Sequence, residues 1–160
     1  MKRAAETKRR SQLGLEVDVE TSIRMALVRQ RDTTAELVVR RALRALGHRF
    51  RVRNRDLPGS PDVANRTRRW AIFVHGCFWH RHAGCPRTTT PKRNRSFWEA
   101  KFRANRSRDR RALVRLRRIG YKTIVVWECE TERPRLLARK LQRLSTLPVV
   151  SHEEVWQPTL

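Results

Sequence analysis

Apolar residues recur along this chain with two periods, and the two periods predict an alternation of helices and strands. Where the spacing is three to four residues, one side of a helix is apolar. The order Thr33-Thr-Ala-Glu36 has the form of a capping box, which begins a helix, and Gly47 ends the same apolar stripe. Spacing and turn residues together predict helices over residues 23–27, 33–46, 96–119 and 134–144.

Strict alternation and β-branched runs predict the strands. Arg49-Phe-Arg-Val-Arg53 alternates basic and apolar residues, which is typical of a strand with one basic face. Residues 62–64 and 70–74, joined by a polar turn, predict a β-hairpin, and the β-branched run of residues 121–127 predicts a buried strand. Strands that alternate with helices indicate an α/β domain of two or three layers.

The length of 160 residues suffices for one domain with a modest core. We expect this domain to span residues 20–147, between a basic, flexible N-terminal tail over 1–19 and a C-terminal tail over 148–160. No apolar run approaches the ~18 residues that a membrane-spanning helix needs. The first residues are basic but lack the apolar segment of a signal peptide.

The chain carries a large excess of positive charge. Lys and Arg total 38 against 15 Asp and Glu, so that the formal net charge is +23. Such an excess predicts a polyanionic partner, with DNA or RNA as the first choice and an anionic membrane as the second. The alternative is a surface whose charges serve only solubility.

Thiols and imidazoles are concentrated in one short segment. Two cysteines and three histidines lie within the thirteen residues from Phe73 to Cys85. Cys77-x4-His82-x2-Cys85 has the spacing of half a zinc site, and Cys129 can supply a fourth ligand if the fold returns it. The alternative is three unrelated buried thiols with surface histidines. An odd number of cysteines without an export signal argues against a disulfide framework and for a reducing cytoplasm.

Several short segments occur in a recognisable order and spacing. They are Arg31-Asp-Thr-Thr-Ala-Glu36, Leu57-Pro-Gly-Ser-Pro-Asp-Val63, Ile72-Phe-Val-His-Gly-Cys-Phe-Trp-His80, Arg108-Asp-Arg-Arg111 and Val125-Val-Trp-Glu-Cys129. Over roughly residues 22–130 the chain thereby resembles the Vsr family of very-short-patch repair, or T:G mismatch, DNA endonucleases. The resemblance implies a restriction-endonuclease-like fold of the PD-(D/E)XK type, in which a mixed central sheet is flanked by helices, with a structural zinc site.

The resemblance implies five residues of the active site. Asp62 matches the catalytic aspartate that ligates Mg²⁺, and Val74 stands at a position whose backbone carbonyl the family uses on the metal. His80 matches the general base, while His75 and Glu36 match residues that organise metal-bound water. Read without the resemblance, Asp62 is a turn residue after a proline, His75 a core histidine at a strand end, and Glu36 the second partner of a capping box.

The structural zinc of the family maps to Cys77, His82, Cys85 and Cys129. Two residues separate His82 from Cys85, whereas the usual spacing in the family is one. The glycine of Ala83-Gly84 can absorb the additional residue because glycine accepts unusual dihedral angles. An exchange of roles between His82 and His80 is the alternative.

The resemblance also implies contacts with DNA. Phe78 and Trp79 match aromatic residues that wedge between base pairs beside the mismatch, and Met25 matches a residue that inserts from the other groove. The alternative is that these three side chains are core. Polar and basic residues on the long helix are expected at the DNA, namely Asn105, Arg106, Arg108 and Asp109.

Together these features predict a monomeric, Mg²⁺-dependent endonuclease of the bacterial cytoplasm and nucleoid. It would nick double-stranded DNA 5′ to the T of a T:G mismatch that arises from deamination of 5-methylcytosine, in partnership with a DNA cytosine methyltransferase. One alternative is a nickase with relaxed mismatch or sequence specificity that accompanies a restriction–modification system. The other is a zinc-stabilised DNA-binding protein without catalysis.

Overall fold

The structure, a computed structural model, describes Leu27 and residues 31–144. The described part is a mixed α/β domain in which one four-stranded sheet carries helices on both faces. Its elements in chain order are α1 (Thr34–Ala45), β1 (Arg51–Val52), β2 (Val63–Asn65), β3 (Trp70–His75), α2 (Cys77–His80), α3 (Arg95–Arg118), β4 (Lys122–Trp127), a 3₁₀ turn (Glu128–Glu130) and α4 (Pro134–Gln142). Among the helices of these residues, none has the length and apolar character to cross a membrane.

The sheet has the order β1-β2-β3-β4 and is mixed. The predicted hairpin is confirmed, since β2 and β3 pair antiparallel with Val63 opposite Ile72. β4 joins β3 in parallel, and α3 makes the crossover between them. The parallel pairing brings the carboxyl ends of β3 and β4 to one end of the sheet, and the antiparallel pairing brings the start of β2 to the same end. This end, where the strands β3 and β4 finish, is called the sheet edge below.

Alternation along β3 divides the core between the two faces of the sheet. Trp70 and Ile72 belong to a cluster with α1 and α4, whereas Ala71 and Phe73 belong to a cluster with α3. The close approach of α3 depends on Gly59, because a Cβ there would lie 2.4 Å from the Cβ of Ala112. This contact fixes how closely α3 packs against the loop that precedes β2.

The three longer predicted helices are confirmed, with ends that differ by one or two residues. The capping box is also confirmed, since the Thr33 hydroxyl accepts the Glu36 N–H and the Glu36 carboxylate accepts from the Thr33 N–H. Of the short helix predicted over residues 23–27, only Leu27 is described, and it is helical and exposed. Met25 and both predicted tails, over residues 1–19 and 148–160, lie outside the described residues.

The predicted strand over residues 49–53 is wrong in length. Only Arg51–Val52 is extended and paired, and Val52 is 37% exposed rather than buried on an apolar face. Arg53 has φ of 61°, which turns the chain out of the sheet, and the buried Asn54 donates to the carbonyls of Arg51 and Pro61. An edge strand needs only one neighbour, so the turn that follows can shorten it.

The predicted inner face of the long helix is partly wrong. Phe102 and Leu116 are buried as expected, but Ile119 is 45% exposed and Ala112 is buried in its place. Ala112 lies where α3 meets the loop at Gly59, a contact that only a small side chain fits, whereas Ile119 is the C-cap residue at the end of α3. Phe97 is partly buried among other aromatic rings instead of in the core.

Candidate active site and metal centre

Asp62 stands at the sheet edge where β3 and β4 end. The backbone N–H of Asp62 donates to the carbonyl of Ile72 at 3.0 Å, and its Oδ2 accepts the N–H of Val74 at 2.7 Å. Both contacts follow from the antiparallel register of the hairpin, which places the start of β2 beside the end of β3. The sequence-predicted pair of Asp62 and Val74 is therefore brought together, with a carboxylate turned toward the end of the sheet.

The environment of Asp62 disfavours its charge. Burial, with a smaller contribution from the nearby Glu36, raises the pKa of Asp62 to about 6. The Val74 N–H and the Arg40 guanidinium act in the opposite direction but do not cancel the effect. A desolvated carboxylate beside a second carboxylate is the kind of site that a divalent cation stabilises.

Glu36 is buried at the start of α1, and both of its oxygens already have partners. Oε1 accepts from the N–H and hydroxyl of Thr33, while Oε2 accepts from the N–H of Asp32 and from Arg40 at 2.9 Å. Arg40 also pairs with Asp32 at 2.5 Å. The capping interpretation of Glu36 is thus correct, and any second duty toward water at Asp62 stays a prediction.

His75, His80 and Asp109 form a cluster next to the sheet edge. The rings of His75 and His80 stack with centres 3.9 Å apart and planes 9° apart. His80 Nδ1 lies 2.5 Å from Asp109 Oδ2, although the two residues are 29 positions apart. One ligand atom from each of the three residues lies within 4.8 Å of the others, so the cluster combines two imidazoles with one carboxylate.

The environment lowers the pKa of both His75 and Asp109, which disfavours the charged form of the histidine and favours that of the aspartate. Burial and the neighbouring His80 lower the pKa of His75 to about 4, so His75 is neutral at pH 7. Burial disfavours the charged form of Asp109, yet the hydrogen bond and the charge of His80 outweigh it and hold the pKa of Asp109 below its usual value. The sequence predicted that Asp109 contacts DNA. In the structure its carboxylate is paired with His80, and a DNA contact from Asp109 stays a prediction.

Cys77, His82, Cys85 and Cys129 meet in a second cluster. One ligand atom from each lies within 4.8 Å of the other three, and His82 Nδ1 is 3.7 Å from Cys77 Sγ and 3.3 Å from Cys129 Sγ. Around a tetrahedral zinc, nitrogen and sulfur ligands stand about 3.5–4 Å from one another. The donor set and its spacing therefore fit a metal ion of the zinc class.

The electrostatics of the thiols support the same conclusion. Burial raises the pKa of Cys77 to about 12 and raises the pKa of Cys129 as well. The backbone N–H of Arg87, in contrast, lowers the pKa of Cys85. At the two thiols whose pKa is raised, Cys77 and Cys129, a bound cation would supply the positive charge that favours a thiolate. Of the two histidines that the sequence left as alternatives, His82 faces the thiols and His80 faces Asp109.

Local hydrogen bonds shape the loop that carries these ligands. The hydroxyl of Thr88 donates to the carbonyls of Cys77 and His82, and the N–H of Cys77 donates to Glu128 at 3.3 Å. Gly84 has φ of 70° and open space around its Cα. The additional residue between the histidine and Cys85 is accommodated in this left-handed turn, as the sequence predicted.

Five aromatic rings gather where the short helix α2 meets α3. Phe78 has ring centres of Trp79, Trp98 and Phe102 at 5.1, 5.6 and 5.2 Å. The Lys101 ammonium lies 5.5 Å from the ring centre of Trp79. Phe78 and Trp79 are each only partly buried, so the cluster is neither plain core nor free surface.

Sequence reasoning missed one ring of this aromatic group and a basic residue that contacts it. Trp98 and Lys101 were not singled out, although they lie three residues apart on the face of α3 that turns toward the loop. That spacing, next to Phe97 and Phe102, was the available signal. Only the packing of α3 against α2 shows that these residues join Phe78 and Trp79.

Polar residues of α3 continue from the aromatic group. Asn105 Nδ2 donates to the carbonyl of Trp79 at 3.0 Å, and its Oδ1 accepts from Arg108 at 2.7 Å. Arg106 and Arg108 are exposed, as a phosphate contact requires. Asn105 thus fixes the backbone that carries Trp79, while the arginines extend from the same helix into solvent.

Comparison with known proteins defines the class. The chain is 45% identical over 106 residues to the type II nicking enzyme V.XorIIP of Xanthomonas oryzae, which covers 66% of this chain and 77% of the relative. It is 36% identical over 120 residues to the type II nicking enzyme V.NmeAIP of Neisseria meningitidis, covering 75% and 85%. It is 40% identical over 105 residues to the DNA mismatch endonuclease Vsr of Escherichia coli K12, covering 66% and 67%.

A mixed α/β domain with this site and these relatives is a DNA endonuclease. The profile of the family described as DNA mismatch endonuclease Vsr matches residues 18–86, which include Asp62 and the whole segment from Phe73 to Cys85. The chain belongs to the Vsr family.

Proposed function

We propose that this endonuclease is a Mg²⁺-dependent nickase that cuts DNA 5′ to the T of a T:G mismatch. The observation that carries the proposal is the convergence at one sheet edge of a buried carboxylate, Asp62, with the hydrogen-bonded pair of His80 and Asp109. Phosphodiester hydrolysis needs charge neutralisation at the phosphate and a base for the attacking water. The two halves of this edge have the chemistry for these two tasks.

Asp62 and the backbone carbonyl of Val74 are the oxygen donors that we assign to the metal. Mg²⁺ prefers oxygen ligands, and few of them need to come from protein. When bound, the ion neutralises phosphate charge and lowers the pKa of water. Glu36 contributes negative charge close to Asp62, while its hydrogen bonds to Thr33 and Arg40 keep it in place.

His80 is the general base in this proposal. A proton on Nδ1 satisfies the Asp109 carboxylate, which leaves Nε2 with a lone pair to accept a proton from water. Asp109 therefore selects the tautomer and stabilises the imidazolium that forms. His75, neutral at pH 7, stacks on the base and adds a polar ring nitrogen without a competing positive charge.

The aromatic group supports the mismatch as substrate. Phe78 and Trp79 lie within the same short helix as His80, so that the helix backbone holds the two rings next to the general base. A partly exposed, rigid aromatic wedge gains most where base pairs unstack at low cost, as beside a wobble pair. Arg106 and Arg108 would hold phosphates without regard to sequence.

The zinc site, the fold and the cellular role belong to the same proposal. We assign zinc to Cys77, His82, Cys85 and Cys129, because tetrahedral N/S sites with protein ligands in all positions are structural. The mixed sheet with helices on both faces is consistent with a restriction-endonuclease-like fold within residues 20–147. We further infer a cytoplasmic monomer whose role in the cell follows that of a DNA cytosine methyltransferase.

A specific observation favours a second candidate. Several relatives carry the name type II nicking enzyme, which points to nicking beside a restriction–modification system with a different mismatch or sequence requirement. The non-catalytic alternative does not agree with membership of an endonuclease family.

The experiment is a nicking assay on matched duplexes. We expect cleavage of one strand, 5′ to T, in a duplex with a single T:G pair, dependence on Mg²⁺ and loss with EDTA. Duplexes with T:A, T:C and A:G at the same position, in several flanking sequences, separate the two candidates. Equal nicking of all mismatches supports the relaxed enzyme, and no nicking of any duplex contradicts both.

A further inference from the structure

We propose that Trp127 is a positioning residue that joins the Cys/His metal cluster to the catalytic histidines. The proposal rests on the proposed function, in which the first cluster holds zinc and the second performs base catalysis. Neither the sequence pattern nor the candidate mechanism gives Trp127 a task. Its place in the sheet does.

The sheet register brings Trp127 beside His75. β3 and β4 are parallel, and His75 and Trp127 are register partners in the last position of the ladder. Partners in adjacent parallel strands point to the same face of the sheet. The indole therefore lies next to the His75 imidazole, with ring centres 5.5 Å apart and planes at 72°.

The opposite contact of the indole is with the metal cluster. The His82 ring stacks on Trp127 with centres 4.2 Å apart and planes 9° apart. A single indole thus touches one histidine of each cluster. Since His75 in turn stacks on His80 at 3.9 Å, a continuous series of ring contacts runs from the thiols to the His80–Asp109 pair.

The backbone of Trp127 is held by the 3₁₀ turn that carries the proposed metal ligand Cys129. Its N–H donates to Glu130 Oε2 at 2.8 Å, and Lys140 of α4 pairs with the same carboxylate at 2.5 Å. Glu130 belongs to the 3₁₀ turn that also carries Cys129. The turn that delivers a metal ligand therefore also sets the position of the indole.

The consequence is mechanical. A flat ring that is held between His82 and His75 restricts the tilt of His75, and the stack transmits that restriction to His80. Residues that orient catalytic or metal-bound side chains from outside typically change activity by 10–100-fold when they are lost. Removal of the indole should therefore loosen His75 and His80 while all four metal ligands remain.

The test compares Trp127→Leu and Trp127→Phe with Val125→Ala. Val125 lies two residues earlier on the same face of β4 and is likewise partly buried, so its truncation is a matched packing control. For each variant we would measure zinc per chain, affinity for a mismatched duplex, single-turnover nicking and the ¹⁵N signals of the histidine rings. His75→Gln and His80→Gln variants assign the signals of those two residues.

We expect Trp127→Leu to keep one zinc and its DNA affinity within about 2-fold, to nick ~10–100-fold more slowly, and to shift the ring signals of His75 and His80. Trp127→Phe should recover most of the rate, and Val125→Ala should leave the histidine signals in place. Unshifted histidine signals in Trp127→Leu would overturn the proposal, as would equal shifts in Val125→Ala. If Trp127→Leu does not fold, Trp127→Met, which also lacks the aromatic ring, replaces it, and unshifted His75 and His80 signals in that variant would overturn the proposal.

Failure of the proposed function would look different. Wild-type protein that nicks no duplex refutes the nickase, but the histidine signals of the Trp127 variants still show whether the indole positions His75. Conversely, an active wild type with unshifted signals in both Trp127 variants refutes the positioning role alone.

Discussion

Asp109 Oδ2 lies 2.5 Å from His80 Nδ1, and this contact joins the long helix α3 to the short helix α2. His80 thereby acquires a fixed orientation from a residue that is far away in sequence.

His80→Ala should lower the nicking rate by ~10²–10⁴-fold, the usual effect of a lost general base. Asp109→Asn should lower it by ~10–100-fold, since the base keeps its position but loses the partner that selects its tautomer. Single-turnover nicking with saturating enzyme measures both. Asp56→Asn is the matched control, because Asp56 is an exposed aspartate that pairs with Arg66 away from this cluster. Full activity of Asp109→Asn would show that the contact has no catalytic role.

Asp62→Asn should abolish nicking and leave DNA affinity nearly unchanged. The amide keeps the shape of the side chain and can still accept the Val74 N–H, but it is a poor ligand for Mg²⁺. The surplus of 38 basic over 15 acidic residues continues to bind phosphates. Parallel assays of nicking and of duplex affinity test this. Cleavage above about one hundredth of the wild-type rate would remove Asp62 from the catalytic role, given what a lost metal site costs.

The pKa of Asp62 predicts a pH-dependent stability difference in the absence of Mg²⁺. Because burial raises the folded-state pKa to about 6, above the ordinary 3.8, the folded state binds more protons between these values. The carboxyl therefore becomes less favourable to folding as pH rises from 3.8 to 6, and the full cost persists above 6. Asp62→Asn should be more stable than wild type by about 3 kcal/mol at neutral pH, since each pKa unit corresponds to about 1.4 kcal/mol.

Denaturant titrations at about pH 7.5 and about pH 5 measure this difference, which should shrink at the lower pH. His75 acts with the opposite sign, since its lowered pKa of about 4 makes the folded state lose stability as pH falls from 6.5. That contribution is common to wild type and Asp62→Asn and cancels in their comparison. A stability difference that grows toward low pH would contradict the assignment of the raised pKa.

The purified protein should contain one tightly bound zinc per chain. Cys129→Ser and His82→Gln should each lose it and unfold at lower temperature, because structural zinc contributes directly to folding. His80→Gln is the control for His82→Gln and should keep the metal, as His80 faces Asp109. Elemental analysis and thermal unfolding test the three variants. Zinc loss from His80→Gln, with retention in His82→Gln, would reverse the assignment.

Trp79→Ala should strongly reduce nicking of a T:G duplex while it barely changes affinity for a fully paired duplex. The physical reason is that an aromatic wedge gains from a weak stack, whereas phosphate contacts do not depend on it. Arg106→Ala is the matched comparison on α3: it should weaken both duplexes alike and reduce the salt slope by about 0.9. Equal losses on both duplexes for Trp79→Ala would show that the ring is only core.

Much of the site could be predicted because its parts are local. The capping box of Thr33 and Glu36 needs only residues three positions apart, and the hairpin that sets Asp62 against Val74 needs only one turn. The dense cysteines and histidines indicated metal chemistry for the same reason. Contacts of this kind depend on short-range geometry, which the sequence pattern determines.

Tertiary packing decided which side chains meet across distance. His80 and Asp109 pair because α3 packs against α2, and no pattern local to either helix predicts that contact. The helical stripe also predicted that Ile119 is in the core, but in the structure this side chain is 45% exposed. A periodic pattern gives the face of a helix but not its position along the neighbouring sheet.

The division is clearest at Trp127. Its strand was evident from the β-branched run, but the contact with His75 depends on a parallel register, and the contact with His82 depends on a loop 45 residues away in the chain. The sequence by itself determined the elements, the charge and the metal-ligand residue types, because these follow from neighbours in the chain. Only the tertiary structure decided that one indole touches both clusters, because strand register and the positions of helices and loops on the sheet arise from packing of the whole core.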